Sequence, residues 1–202
     1  MKILVTAFEP FNGRDINPSQ LILEKIESPE GVTLIKELLP VEFKKTTKIV
    51  KALLEKYQPD VVISLGQAGS RPEISVERVA INLDNCRSSN GQKITADNVG
   101  DTPVDMPIVT DAPQAYFSNL PVWDMVKAIQ EAGIEAAVSY TAGTYVCNHV
   151  MYSVLHEVET NYPKMRAGFI HVPFLPEQNP TTGYTMKLAD MIKGIQACIE
   201  VI

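Results

Sequence analysis

Residues 42–66 read EFKKTTKIVKALLEKYQPDVVISLG, and two periodicities meet inside them. Over 42–57 the apolar residues Phe43, Ile49, Val50, Leu53 and Leu54 fall on one stripe of a helix. Over 61–66 the run VVISLG is continuous, apolar and β-branched, which predicts a short strand buried on both faces. A helix that feeds such a strand is the unit from which α/β sheets are built.

The same alternation extends in both directions. Towards the N-terminus, 2–7 (KILVTA) reads as a buried strand, 18–27 as a helix and 33–38 as a strand. Asn17 is placed to cap that helix, with Pro18 at its first position. Towards the C-terminus, 75–83 reads as strand, 120–132 as a helix ending at Gly133, and 136–140 as strand. A helix over 145–160, a strand over 167–172 stopped by Pro173, and a helix over 185–202 complete the series. The expected fold class is therefore α/β, with a mostly parallel twisted central sheet and helices on both faces. Two polar, irregular stretches, 84–119 and 173–185, break the rhythm and are expected to rim a site. No linker or internal repeat is visible, so 1–202 is read as a single domain.

Composition narrows the function classes. The chain has 202 residues, 45% hydrophobic and 21% charged, with a net charge of -6. That is the balance of a globular protein, not of a disordered one. With no basic run, nucleic acid and anionic membranes are not expected partners. No apolar run approaches the ~18 residues of a membrane span, and the start MKILVTAF lacks the pattern of a secretory signal. The expected location is cytoplasmic. Cys86, Cys147 and Cys198 are far apart and form no CxxC, so neither a disulfide framework nor a structural zinc site is expected.

Sites of open α/β sheets form beyond the C-terminal ends of strands. Residues 8–13, 67–71, 141–147 and 171–173 lie there on this reading. Cys147 falls in the first turn of a helix, where the peptide dipoles favour negative charge, so its thiol should lose a proton more easily than usual. A nucleophile needs that property; the alternative is a small buried apolar residue. Of the three histidines, His149 lies about 200° round the helix from Cys147, and His156 about 180° round and ~13 Å along it. Both point away and read as structural, and Cys147 with His149 is a weak metal pair because no further ligands accompany it. His171 ends a strand at the same sheet edge and is left as the base. Glu77, Asp84, Asp97 and Asp101 are candidates to orient its ring. Glu77 stands out because a carboxylate beside an apolar run is costly unless paired; a plain ion pair with Arg78 is the alternative. The turn at Gly66, Gln67, Ala68 and Gly69 lacks dinucleotide-binding spacing and reads as a backbone turn aiming N–H groups at a ligand. Phe8 and Phe11 are either core or the walls of an apolar pocket. Cys198 reads as core or interface, and Cys86, in the polar loop, as reactive without being catalytic.

At these residues the sequence resembles the pyroglutamyl peptidase I family, also called pyrrolidone-carboxylate peptidases. The blocks are TAFEPFNG…NPS at 6–19, PDVVISLGQAGSR at 59–71, ERVAINLD at 77–84, SYTAGTYVCNH at 139–149 and GFIHVPFLPEQ at 168–178. Their order spans nearly the whole chain. The resemblance implies a three-layer α/β/α sandwich and a cytoplasmic cysteine peptidase without cofactor or metal, often a homotetramer. It places the catalytic Glu, Cys and His on Glu77, Cys147 and His171. It assigns transition-state support to Arg87 and pocket aromatics to Phe8 and Phe11. Tyr145 stands where the family usually has Phe, and Gln67 and Val146 complete the expected substrate-binding set. Asp97 matches an Asp of the family. Two departures are evident: extra residues lengthen the loop around 88–94, and 107–113 diverges.

The substrate so implied is a peptide capped by L-pyroglutamate, a neutral lactam without a free amine. An ordinary N-terminus would bring an unpaired ammonium into an apolar pocket, and even ~3 kcal/mol for that burial gives more than ~100-fold discrimination. Cys147 would attack the pyroglutamyl carbonyl, its backbone N–H and Arg87 would hold the oxyanion, and His171 would protonate the leaving amine. Two other classes remain open on sequence: a nucleoside phosphorylase-like transferase using the GQAGSR turn with Arg71, and a binding protein for pyroglutamyl peptides that does not turn them over.

Overall fold

The computed structural model describes residues 1–202 except Ser89, Asn179 and Thr182. Those three positions fall in the predicted irregular stretches, so that part of the 88–94 and 173–185 readings lies outside the described residues.

Six strands build the central sheet: β1 (Lys2–Phe8), β2 (Thr33–Leu39), β3 (Val61–Gln67), β4 (Ile74–Glu77), β7 (Ala136–Ser139) and β8 (Arg166–Val172), in the order β2-β1-β3-β8-β4-β7. β1, β2, β3 and β8 run parallel, whereas β4 is antiparallel to β8 and β7 is parallel to β4. The sheet is thus mostly parallel, with its last two strands reversed. Helices α1 (Pro18–Lys25), α3 (Val122–Glu131) and α5 (Leu188–Glu200) cover one face; α2 (Phe43–Tyr57) and α4 (Val146–Asn161) cover the other.

Strand alternation sorts the core between these faces. Ile3, Val5, Ile63, Leu65, Ile170 and Val172 pack beneath α1, α3 and α5. Leu4, Phe8, Val62, Ala167 and Phe169 pack beneath α2 and α4. His171, two residues beyond Phe169, therefore lies on the α2/α4 side.

Three expectations are corrected. The strand expected over 75–83 breaks at Arg78: β4 belongs to the central sheet, while β5 (Val79–Ile81) leaves it and pairs antiparallel with β6 (Ala115–Phe117). β6 lies inside 84–119, which the sequence reads as wholly irregular. The last helix starts at Leu188, not at 185, with Lys187 at its N-cap. Among the described residues no helix is long and apolar enough to cross a membrane.

Candidate active site

β7 runs against β3 and β8, so its C-terminal end points away from the edge that the sequence reading assigned to it. Residues 140–145 bring the chain back to that edge. α4 begins at Val146, with extended Tyr145 as N-cap and no side-chain cap bond among the described residues. Its first-turn N–H groups are thereby left for a ligand. The loop is held by the stretch after β5: Asn85 N–H donates to Thr144 O (2.9 Å), and Thr144 Oγ1 donates to Asn85 O (2.8 Å). The Asn148 amide donates to Ile81 O and Leu83 O and accepts from Ile81 N–H.

This anchoring aims Cys147 at β3. A Cβ placed on Gly66 would stand 3.0 Å from Cys147 Sγ and 2.7 Å from Phe169 Cζ. Only a residue without a side chain leaves room for the sulfur there. Gly66 thus serves close approach within a strand, not the turn expected of it. Its register partner on β8 is His171, whose side chain leaves the sheet on the same face as the missing one of Gly66. The thiol and the imidazole are neighbours across one strand spacing.

His171 in turn meets Glu77. In the antiparallel β4–β8 pair, Ser75 is opposite His171 and Glu77 opposite Phe169, so Glu77 and His171 form a same-face diagonal that long side chains span. His171 Nδ1 lies 2.7 Å from Glu77 Oε1, with Glu77 fully buried and His171 nearly so. An ionised carboxylate only accepts, so Nδ1 carries the proton and Nε2 is left as the base. Burial alone would raise the Glu77 carboxyl; the His171 hydrogen bond and charge, with Ser139 and Arg71, outweigh it and hold the group below its ordinary 4.5. Arg71 Nη1 donates to the same Oε1 at 2.6 Å, and its Nη2 donates to Thr141 O at 2.6 Å. The alternative partner, Arg78, donates instead to Ser118 O and covers the Phe117 ring. Neighbouring residues of a strand face opposite ways, which is the signal that rules out the Glu77–Arg78 pair.

The expected easily ionised thiol is corrected. Burial first, and the nearby Glu77 carboxylate second, push Cys147 up to about 12, outweighing Arg71 and the backbone N–H.

Beside the sulfur lies a narrow slot of about 10 Å³, room for little more than a water molecule. Phe8, Phe11, Gln67, Tyr145 and Val146, which the family resemblance assigns to substrate binding, line it together with Val41 and Asn17. Sequence reasoning did not place those two; Asn17 appeared only as the α1 cap, a role it also fills by accepting from Ser19 N–H. The Phe11 and Tyr145 rings are 6.2 Å apart. The Tyr145 hydroxyl donates to Ala96 O at 2.8 Å, which ties the slot to the long loop. Gln178 Nε2 donates to Gln67 Oε1 at 2.9 Å.

Other candidates lie elsewhere. Arg87 is exposed, bridging to Ile94, and is not among the residues lining the slot. His149 points away from the sulfur as expected and bonds Asp84 Oδ2 (2.8 Å) and Thr47 Oγ1. His156 stacks on Tyr152 and bonds Tyr116. Asp97 accepts from the N–H groups of Phe43, Val99 and Asp101, a structural role. Asp101 pairs with Lys44. Cys198 is core, and Cys86 is buried, its thiol raised to about 11 by burial and by Asp97 and Asp84, so the reactive Cys86 expected from sequence is not found. Among the described residues no group of three or more His, Cys, Asp or Glu stands close enough to hold a metal ion.

An α/β sheet presenting a buried carboxylate, an imidazole and a thiol in sequence defines a hydrolase of the cysteine-peptidase class. The comparisons make that particular. A family model for pyroglutamyl peptidase matches residues 1–202. Pyrrolidone-carboxylate peptidase 1 of Caldanaerobacter subterraneus subsp. tengcongensis is 45% identical, covering 100% of this chain and 98% of the relative. A pyrrolidone-carboxylate peptidase of Clostridium perfringens is 46% identical, covering 100% and 93%. The crystal structure of pyroglutamyl peptidase I from Bacillus amyloliquefaciens superposes with a TM-score of 0.91 at 38% identity, covering 98% of this chain and 92% of that one. A variant of pyrrolidone carboxyl peptidase from Pyrococcus furiosus also gives 0.91, at 39% identity over 100% and 97%. The chain belongs to the pyroglutamyl peptidase family.

Proposed function

We propose that this chain hydrolyses the bond after an N-terminal L-pyroglutamyl residue of peptides, with Cys147 as nucleophile, His171 as general base and acid, and Glu77 as the group that orients and stabilises the imidazolium. The observation that carries this reading is the seat of Cys147 Sγ against Gly66, the strand partner of a His171 already bonded to buried Glu77.

The steps follow from the geometry. The walls of the slot part to admit the pyroglutamyl ring; its lining includes no charged side chain, so an ammonium there would be desolvated without a partner. As sulfur attacks the carbonyl carbon, the thiol proton passes to His171 Nε2, and Glu77 stabilises the positive ring. The uncapped first turn of α4 receives the developing oxyanion. The proton on Nε2 goes to the leaving amine, the C–N bond breaks and a thioester remains. Water then gives a proton to His171, attacks the thioester carbonyl and releases pyroglutamate, and the sulfur recovers its proton. No cofactor is needed. Residues 1–202 act as one catalytic domain, and the family resemblance supports a cytoplasmic protein that assembles as a homotetramer, an assembly that light scattering on the purified protein tests.

The functional test is release of amine from a pyroglutamyl amide reporter, with and without a thiol-blocking reagent. Release that the reagent abolishes is expected. Binding of the reporter without release, or release indifferent to the reagent, overturns the reading.

A further inference from the structure

Glu77 Oε1 receives two donors, and the mechanism above uses only His171. The second, Arg71, stands on the turn after β3. One guanidinium nitrogen meets Glu77 Oε1 and the other meets Thr141 O, each at 2.6 Å. Thr141 begins the segment that returns from β7 to Cys147. The planar fork therefore joins the strand bearing the carboxylate to the segment presenting the nucleophile. The Arg71 side chain is 21% exposed and Glu77 is 0% exposed, so the cation lies at the rim of the site and its partner at the floor.

We propose that Arg71 is a positioning residue of this site: it fixes the spacing between the Glu77–His171 pair and the Cys147 segment, and it balances the carboxylate's charge at the sulfur. The proposal rests on the thiol mechanism above. The groups that face Glu77 are Arg71 from the β3–β4 turn, His171 from β8, Ser139 from β7 and, across the site, Cys147 from α4. Of these only Arg71 carries a permanent positive charge. Glu77 disfavours a negative sulfur, and Arg71 opposes that effect. Without Arg71, an unbalanced carboxylate raises the proton affinity of thiol and imidazole together, and both limbs of a bell-shaped rate profile move to higher pH. A salt bridge that served only the fold would move neither limb.

Two variants separate charge from geometry. Arg71→Met removes both; Arg71→Lys keeps the charge, but one ammonium does not reproduce the planar fork. The readouts are kcat and KM for the pyroglutamyl amide reporter across pH, with circular dichroism as the folding control. For Arg71→Met, a fall in kcat and a displacement of the kcat/KM profile by on the order of one pH unit to the alkaline side are expected. For Arg71→Lys, the profile stays at its wild-type position while kcat falls about tenfold and KM changes less than about twofold. An Arg71→Met profile superimposable on wild type, or Arg71→Lys with undiminished kcat, overturns the proposal. If Arg71→Met does not fold, Arg71→Lys decides alone: a displaced profile or wild-type kcat sinks the idea. Wild-type protein inactive on the reporter would instead defeat the peptidase reading itself, so the two failures are distinguishable.

Discussion

Two histidine–carboxylate pairs flank the first turns of α4, and at the level of bond lengths they are almost the same. His171 Nδ1 meets Glu77 at 2.7 Å; His149 Nδ1 meets Asp84 at 2.8 Å. Both pairs are buried. The depression over His149, about 550 Å³, is far larger than the slot of about 10 Å³ beside Cys147. Cavity size and dyad geometry alone would therefore favour His149 over the proposed base. What separates the pairs is the second ring nitrogen. His149 spends Nε2 on the Thr47 hydroxyl, in the interior of α2, whereas the His171 side chain shares a sheet face with the sulfur seated on Gly66. Phe43 stands between the two regions, edge-on to both Tyr145 and His149. What the far nitrogen faces, not the dyad itself, distinguishes the proposed catalytic pair.

The largest expected effects test that contrast directly. Cys147→Ser and His171→Ala should each lower kcat/KM for a pyroglutamyl reporter by about 10³-fold or more with the fold intact by circular dichroism. His149→Ala should cost less than about tenfold in rate but about 1–3 kcal/mol of stability, because Asp84 is left buried without its donor. The reverse ranking in rate would dissolve the distinction drawn here. Next comes the floor of the site. In Gly66→Ala, the added methyl meets Phe169 and the sulfur, and a displacement of about 1 Å should lower kcat about 10- to 100-fold; unchanged steady-state kinetics would show that the sulfur is not seated as described.

A smaller effect concerns acid stability. The Glu77 carboxyl is held below 4.5 in the folded chain, so its contribution is present above 4.5 and is lost as pH falls through the lower folded value. The Tm difference between wild type and Glu77→Gln should accordingly shrink as pH falls from about 6 to about 3. A difference that stays constant over that interval would remove the electrostatic part of the contrast. Smallest of all, Tyr145→Phe loses one hydrogen bond to Ala96 O and should cost about 0.5–1.5 kcal/mol in thermal unfolding. KM should rise a few-fold at unchanged kcat; a loss in kcat instead would move Tyr145 from the wall of the slot into the chemistry.

Much of this molecule is legible in the chain because its helices and buried strands carry strong periods. The stretch 42–66 yields α2 and β3 within a residue at each boundary. Helix angles and strand ends single out Cys147 and His171, and the structure seats the sulfur on Gly66, the register partner of His171, by a route the sequence does not show. What escapes is what depends on strand direction and on distant pairing. The reversal of β4 and β7 leaves no mark on composition, so the return of residues 140–145 was not foreseen. β6 is three residues long and gains its partner only because β5 leaves the main sheet at Arg78. Sequence offers Arg71 only a phosphate, because its pairing with Glu77 depends on how the β3–β4 turn folds back over the sheet. Ionisation of Cys147 was misjudged because the helix start is apparent in sequence, while desolvation and the neighbouring carboxylate are properties of the assembled site.

The absent side chain at position 66 has a consequence for traffic through the site. Backed against the strand at Gly66, the sulfur is closed from that side. Under the proposed mechanism neither the departing amine nor the arriving water can pass there, so a wall made of main chain narrows the paths of both.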